Sequence, residues 1–251
     1  MEKARGFYTG LLGYEEALRV TTPYGEAVLL KINDDQFIEL TTGLKPDQDE
    51  RLHHIGWETS DIARLHQIVT GLGLGPREFT TTTTGQRHFF LKDPGGHELE
   101  FIQFMPGTEL ARKRGQFLGS KRISTRLLHT GTHVSEEPAA MTFWRGKLGF
   151  TETWREAENL YVNLRAPGTR GDYIEFMMTS QPPNRARLGS MHHICLEVAS
   201  IPDAWRELLA RGVPDEPRHQ PRVGRNRRRQ LNLFDPDGTR VELMEPRTVD
   251  R

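Results

Sequence analysis

Apolar and polar residues alternate over positions 193–198 in the pattern of a half-buried strand. Ile194, Leu196 and Val198 are apolar, and the residues between them are polar or titratable. Because successive side chains of a strand point to opposite faces, the pattern predicts one face in the core and one face that carries polar groups. An amphipathic helix over IPDAWRELLARG follows, and then the strand-like segments LNLF and RVELM, separated by an Asp-Pro-Asp-Gly turn. This order predicts a βαβββ module.

Four pairs of segments recur in the same order in the two halves of the chain. They are FYTGLLGYEE at 7–16 and FWRGKLGFTE at 143–152, QFIEL at 36–40 and DYIEF at 172–176, HHIGWETSDI at 53–62 and HHICLEVASI at 192–201, and DPGGHELEF at 93–101 and DPDGTRVEL at 235–243. A repeat of this kind indicates a fold built from copies of one unit. We therefore predict an α+β protein of four tandem βαβββ modules, paired into two domains with curved mixed β-sheets.

A short segment separates the two predicted domains. MPGTELARKRGQFLGSKR, at 105–122, has glycine, proline and charge but no apolar period, and is predicted to be a linker. The domains would then be 1–104 and 123–247. The second opens with the strand RLLHTGTHV, which contains His129. Because the matching position of the first domain falls before residue 1, that domain is expected to lack its opening strand, through truncation or a misplaced start.

Charge and cysteine content narrow the classes of partner. Lys plus Arg and Asp plus Glu both number 34, so no net field attracts nucleic acid or an anionic membrane surface. No apolar run approaches the roughly 18 residues that span a bilayer. We predict a small-molecule partner. The single cysteine allows no disulfide within the chain, which favours a reducing, cytoplasmic location.

Four residues of the second half occupy equivalent places in two consecutive modules. His129 and His193 lie on opening strands, and Glu175 and Glu242 lie on closing strands. Two histidines and two carboxylates suit an octahedral divalent metal ion, with iron, zinc, nickel, manganese and cobalt all left open. A single strand histidine is equally typical of a solvated or hydrogen-bonded side chain. An acidic residue inside an apolar strand, however, is costly to bury unless it is paired or metal-bound.

The first half keeps three of these four places, at Glu39, His54 and Glu100. We predict them as an alternative or second metal site. With three ligands the site would bind a metal weakly, or would be empty and structural, and the sequence leaves both open.

Two further residues share the predicted polar face with the histidines of the second half. His133 is a candidate general acid or base, and Cys195 would line the pocket. The alternative is a surface imidazole and a small buried thiol. The run RNRRR at 225–229 is either a clamp for an anionic substrate or a solvated loop or edge strand.

The segments RLLHTGTHV, DYIEFMM, MHHICLEV and DPDGTRVELME resemble, in that order, the four metal-bearing segments of glyoxalase I. FWRGKLGF is similar to the first-helix motif of the same family. Over almost its whole length, and once in each domain, the chain resembles the vicinal oxygen chelate superfamily, which contains glyoxalases, bleomycin resistance proteins and extradiol dioxygenases. The resemblance implies the fold, while the reaction depends on the site.

The resemblance implies two alternative ligand sets. The glyoxalase pattern would use all four candidate ligands, and Glu242 or Glu175 would move a proton while the metal stabilises an enediolate. The extradiol dioxygenase pattern would use only His129, His193 and Glu242, on iron(II), for catechol and oxygen. Glu175 separates the two and favours glyoxalase-like lyase or isomerase chemistry. A non-catalytic binding protein of the drug-resistance type is a third alternative, which the complete ligand set disfavours.

The resemblance also leaves two ways of pairing the modules. A metal-binding cup closed within the second domain would contain all four candidate ligands. Exchange between domains or subunits would join His129 and Glu175 to His54 and Glu100. It would leave Glu39 with His193 and Glu242. We expect pairing within the domain, because it completes a site. A homodimer stays open, since the absent strand leaves an edge to cover.

Overall fold

The computed structural model describes residues 1–22, 25–181 and 183–249. The first half contains, in chain order, α1 (Glu2–Arg5), with a π-helical turn over Gly6–Leu11 directly after it, β1 (Glu15–Thr22), β2 (Gly25–Lys31), β3 (Phe37–Thr41), β4 (Ile55–Glu58), α2 (Ile62–Gly71), β5 (Thr80–Thr81), β6 (Arg87–Lys92), β7 (Glu98–Gln103) and α3 (Glu109–Arg112). One complete strand–helix–three-strand module runs from β4 to β7. The module before it begins with α1.

The second half contains two complete modules. Its elements are β8 (Leu127–Val134), α4 (Glu137–Met141), with a π-helical turn over Thr142–Lys147 directly after it, β9 (Thr151–Arg155), β10 (Tyr161–Arg165), β11 (Tyr173–Met178), β12 (Met191–Glu197), α5 (Ile201–Ala210), β13 (Arg222–Val223), β14 (Arg228–Phe234) and β15 (Arg240–Thr248). The predicted α+β class with tandem βαβββ modules is confirmed.

The chain folds into two compact units whose segments interleave along the sequence. The first unit contains Met1–Pro46, Gly115–His129 and the chain from His193 onward, and the second contains Asp47–Arg114 and Thr130–His192. The first and fourth modules therefore share one unit, which also contains the start of β8 up to His129. The second module and the rest of the third share the other unit. The domain borders predicted from the sequence, at 1–104 and 123–247, stay a prediction.

The first unit has two sheets and one apolar core. β1, β2 and β3 form an antiparallel sheet, and the other sheet has the strand order β13-β14-β15-β12-β8. β12 runs parallel to β15, which requires a crossover, and α5 lies in that connection. α5 begins at the cap Ser200, whose hydroxyl accepts from the backbone N–H of Asp203 over 3.3 Å. The core contains Tyr8, Leu12, Leu30, Leu196, Leu208, Leu231 and Leu243.

The second unit is built in the same way from the two middle modules. One sheet has the order β4-β7-β6-β5, with β4 parallel to β7, and in the other the order is β8-β11-β10-β9. α2 begins at the cap Asp61, which accepts from the N–H of Arg64. The core contains Val69, Phe89, Leu99, Trp144, Phe150, Ile174 and Phe176.

One hydrogen bond occurs in the same place in both units. The Tyr8 hydroxyl donates to Oδ2 of Asp235 over 3.2 Å, and the Trp144 indole N–H donates to Oδ2 of Asp93 over 3.4 Å. Each aromatic follows Phe in the repeated first-helix motif, and each aspartate opens a repeated Asp-Pro-x-Gly turn. Because the two partners of each bond come from different halves of the chain, these bonds help to explain the interleaved units.

Across the described ranges, the structure contains no helix with the length and apolar character needed to cross a membrane.

Candidate metal centre

Three of the predicted ligands meet in the first unit. Nε2 of His129 lies 3.1 Å from Nε2 of His193. Oε2 of Glu242 lies 3.5 Å from the His129 nitrogen and 3.4 Å from the His193 nitrogen. The three side chains are 2 %, 0 % and 1 % exposed, respectively. The pairing of modules within the second domain stays a prediction.

Strand alternation explains why these side chains point to one face. His193 on β12 and Glu242 on β15 lie on neighbouring parallel strands. Their strand neighbours Leu196 and Leu243, which have the opposite alternation, are buried in the apolar core of the unit. The sequence therefore places the core on one side of the sheet and the titratable groups on the other.

The three ligand atoms form a small triangle suited to a divalent cation. Metal bonds of about 2.1 Å at right angles separate neighbouring octahedral ligands by about 3 Å. The observed edges are 3.1, 3.4 and 3.5 Å. Two imidazoles and one carboxylate on one face of an octahedron leave three adjacent positions for other ligands. The donor set and its spacing thus fit a metal ion that also binds substrate.

The second carboxylate oxygen of Glu242 is held by two donors that the sequence reasoning missed. Oε1 accepts from Nε2 of Gln230 over 2.7 Å and from Nη2 of Arg240 over 2.9 Å. Arg240 also donates from Nε to Asn232 over 2.7 Å, which fixes the plane of its guanidinium. These bonds leave Oε2 as the oxygen nearest the two histidines. Arg240 could have been found from alternation, because it lies two residues before Glu242 on β15, whereas Gln230 depends on the strand register.

Burial and the nearby charge set the protonation states of the centre. Burial, followed by the positive charge of Arg240, lowers the pKa of His193 to about 3. His193 is therefore neutral, as a metal-binding imidazole must be. Burial alone would raise the pKa of Glu242, but Arg240 and hydrogen bonds with the two histidines hold that pKa well below its usual range. The centre thus combines a neutral ligand with an ionised one.

Cys195 belongs to the same face as the three ligands. It is completely buried, and it pairs with Glu242 in the parallel register of β12 and β15. Ligand atoms of His129, Cys195 and Glu242 all lie within 4.8 Å of one another. The prediction that Cys195 lines this site agrees with its placement.

Glu175 and His133 lie in the second unit. Glu175 is 7 % exposed on β11, where Asn163 of β10 is its cross-strand partner. The His133 ring packs edge-to-face against His192 with ring centroids 5.0 Å apart. Burial lowers the pKa of His133, so this ring is neutral near pH 7. The predicted roles of Glu175 as ligand or base, and of His133 as acid or base, stay predictions.

The three residues predicted as a second metal site do not all belong to the same unit. His54 and Glu100 belong to the second unit, with Nε2 of His54 3.3 Å from Oε2 of Glu100. His88, which the sequence reasoning missed, lies 2.5 Å from the other oxygen of Glu100. Glu39 belongs to the first unit, where it is exposed on β3. Burial raises the pKa of Glu100, but hydrogen bonds with the two histidines outweigh it and lower that pKa to about 2.

Part of the RNRRR run makes local contacts. Arg227 donates to the Val249 carbonyl over 2.7 Å, and Arg229 lies 3.5 Å from Glu245. The run occupies the turn between β13 and β14 and the start of β14. These contacts support the solvated-loop interpretation, and the anion clamp stays a prediction.

A comparison with models of known families shows which superfamily the chain belongs to. The family model for the Glyoxalase/Bleomycin resistance protein/Dioxygenase superfamily matches residues 1–101 and 126–243. The chain belongs to this superfamily. The two matched stretches correspond to the two halves that the sequence repeat predicts.

Solved structures with the same fold include enzymes of two kinds. The structure of BphC, a halotolerant catechol dioxygenase, is 19% identical, covers 99% of this chain and 84% of its own, and gives a TM-score of 0.66. The Mn(II)-bound glyoxalase from Novosphingobium aromaticivorans is 16% identical, and the match covers 97% of this chain and 77% of the glyoxalase chain, with a TM-score of 0.69. A homoprotocatechuate 2,3-dioxygenase mutant from Brevibacterium fuscum is 21% identical, and the match covers 97% of this chain and 67% of the dioxygenase chain, with a TM-score of 0.68. At these identities the likeness shows the fold alone.

A curated relative matches about half of the chain. YwkD of Bacillus subtilis (strain 168) is 31% identical over 125 residues, which are 47% of this chain and 94% of YwkD. One relative of about half the length agrees with a chain made of two similar halves.

Proposed function

We propose that the chain is a divalent-metal-dependent enzyme acting on a small substrate that binds the metal through two neighbouring oxygen atoms. The observation that carries this proposal is the buried triangle of His129, His193 and Glu242. Burying two imidazoles and an ionised carboxylate is costly unless a partner satisfies them, and a cation between their ligand atoms would do so. The three remaining octahedral positions would accept two substrate oxygens and one further ligand.

Within this class we propose proton-transfer chemistry of the glyoxalase type, a lyase or isomerase reaction. The metal would act as a Lewis acid that stabilises negative charge on a substrate oxygen. A carboxylate of the protein would take a proton from the carbon next to a carbonyl group and return it to the neighbouring carbon. The buried Glu175, between the apolar Ile174 and Phe176 on β11, supports this choice.

Glu175 is a better candidate for the proton carrier than Glu242. Oε1 of Glu242 is occupied by two donors, and its Oε2 faces the two histidines. A carboxylate with so low a pKa accepts a proton poorly. We therefore propose that Glu242 and the two histidines hold the metal while Glu175 moves the proton.

The second candidate function is extradiol ring cleavage of a catechol. The observation in its favour is that two histidines and one carboxylate, gathered in one unit, are the ligand set typical of non-haem iron(II) oxygenases. The fold is also shared with BphC and with a homoprotocatechuate 2,3-dioxygenase. In the ring-cleavage reaction Glu175 would have no catalytic role.

One experiment separates the two reactions. The protein, loaded separately with manganese and with iron(II), is incubated with α-hydroxy ketones in deuterated water without oxygen, and with catechols in air. Carbon-bound deuterium incorporation without oxygen supports proton transfer. Oxygen uptake with catechol by the iron form alone rejects it in favour of ring cleavage. Tight metal binding without either reaction would favour the alternative of a non-catalytic binding protein.

The proposal includes a small-molecule partner and a cytoplasmic location, which a single buried cysteine suits.

A further inference from the structure

Cys195 is the one cysteine of the chain and is placed beside the proposed metal ligands. It follows His193 by two residues on β12, so both side chains lie on the same face of the sheet. Its side chain is completely buried. A buried thiol is commonly an inert apolar filler, and burial by itself therefore assigns no role.

The geometry of the neighbours points to a role. Cys195 and Glu242 are direct partners across the parallel strands β12 and β15. One ligand atom each from His129, Cys195 and Glu242 lies within 4.8 Å of the others, so a single cation could reach all three. Apolar filling would be served as well by alanine or valine, which bring no metal-binding atom.

We infer that Cys195 is a sulfur ligand for thiophilic divalent cations, together with His129 and Glu242. The inference rests on the proposed metal site. Thiolate sulfur prefers zinc, cadmium and cobalt, whereas manganese is held well by nitrogen and oxygen ligands alone. On coordination the S–H bond breaks, the proton passes to solvent and a sulfur–metal bond forms, so no oxidant or reductant is needed.

The consequence is a ligand set that differs between metals. A thiophilic metal would be bound by the sulfur of Cys195 together with His129 and Glu242, a mixed set of sulfur, nitrogen and oxygen ligands. Manganese would be held by the two histidines and Glu242, without sulfur. The chain would therefore bind zinc and cadmium through a ligand that the catalytic cation does not use.

Cobalt(II) absorption tests this assignment without any substrate. The protein, purified without metal, and its Cys195→Ser variant are titrated with cobalt(II), and the near-ultraviolet band of a sulfur–cobalt bond is recorded. Cadmium affinity is measured by competition, and manganese affinity by electron paramagnetic resonance. A Cys195→Ala variant repeats the measurements if serine is not tolerated, and thermal unfolding shows that each variant is folded.

We expect the sulfur–cobalt band in the unaltered protein and its loss in both variants. Cadmium affinity should fall about tenfold or more, while manganese affinity should change less than about threefold. Equal cadmium affinities and no sulfur–cobalt band, with manganese still bound, would overturn the role of Cys195 and leave the proposed function standing. Binding of none of the three metals would overturn both.

Discussion

Arg240 donates from Nη2 to Oε1 of Glu242 over 2.9 Å, and so ties a positive charge to the carboxylate of the proposed metal centre. Arg240 helps to hold the pKa of Glu242 well below its usual range, so this carboxylate is ionised. Burial, followed by the charge of Arg240, lowers the pKa of His193, so this imidazole is neutral. Its guanidinium is also bonded to Asn232. This arrangement makes Arg240 a positioning residue, since it acts on the metal through Glu242.

Replacement of Arg240 should weaken metal binding. In Arg240→Gln the carboxylate loses a charged donor and becomes free to rotate, so we expect manganese affinity to fall roughly 10- to 100-fold. The measurement is a manganese titration followed by electron paramagnetic resonance. Arg206→Gln is the matched control, because Arg206 forms an exposed ion pair with Asp203 on α5. Equal affinities of Arg240→Gln and the control would show that Glu242 does not need this support.

Replacement of Glu175 should remove proton transfer while the metal stays bound. We expect Glu175→Gln to lower kcat by about 10²- to 10⁴-fold, the usual contribution of a general base, while the site of His129, His193 and Glu242 still holds manganese. The readouts are deuterium incorporation and metal content on the same sample. Unchanged deuterium incorporation in Glu175→Gln would show that a group other than Glu175 moves the proton.

The Tyr8–Asp235 bond should contribute to the stability of the first unit. Tyr8→Phe leaves Oδ2 of the buried Asp235 without this donor, and we expect a loss of about 1–3 kcal/mol in the free energy of unfolding. Urea unfolding measures the change. Tyr161→Phe, at a partly exposed tyrosine of β10, is the control. A loss no larger than in the control would mean that the hydroxyl does not matter for stability.

Glu100 should give stability that depends on pH. Its pKa is lowered from 4.5 to about 2 in the folded protein, so the ionised form favours folding. The contribution is fully present above pH 4.5 and is lost as the pH falls towards 2. We expect Glu100→Gln to cost on the order of 3 kcal/mol at pH 6. The difference from the unaltered protein should shrink below pH 4.5 in urea unfolding series.

The free energies of unfolding of Glu100→Gln and the unaltered protein could instead differ by the same amount at pH 6 and at pH 3. That result would contradict this account. It would mean that the carboxylate charge of Glu100 has no part in its effect on stability, and that its contacts with His54 and His88 act only through shape.

The sequence predicts the local elements well because their signals are local. Alternation over β12, the cap at Ser200 and the repeated Asp-Pro-x-Gly turns each lie within a few residues of what they specify. The same alternation predicts that His193, Cys195 and Glu242 lie on the polar face, and the structure places them together.

What the sequence could not supply depends on strand register and on contacts between distant segments. Gln230 reaches Glu242 only because β14 and β15 pair in one register, in which Asn232 is opposite Glu242. The interleaved units depend on bonds such as Tyr8 to Asp235, whose partners are 227 residues apart. Register and long-range pairing are set by the packing of the whole sheet, which a pattern read along one segment does not contain.

Metal content tests the central claim most directly. The protein is purified without added metal and examined by elemental analysis beside His193→Ala and His192→Ala, which change adjacent residues on opposite faces of β12. The account predicts about one equivalent of a divalent metal per chain in the unaltered protein and in His192→Ala, and its loss in His193→Ala. No bound metal in the unaltered protein even after supplementation with manganese, iron and zinc, or equal metal in all three proteins, would contradict it.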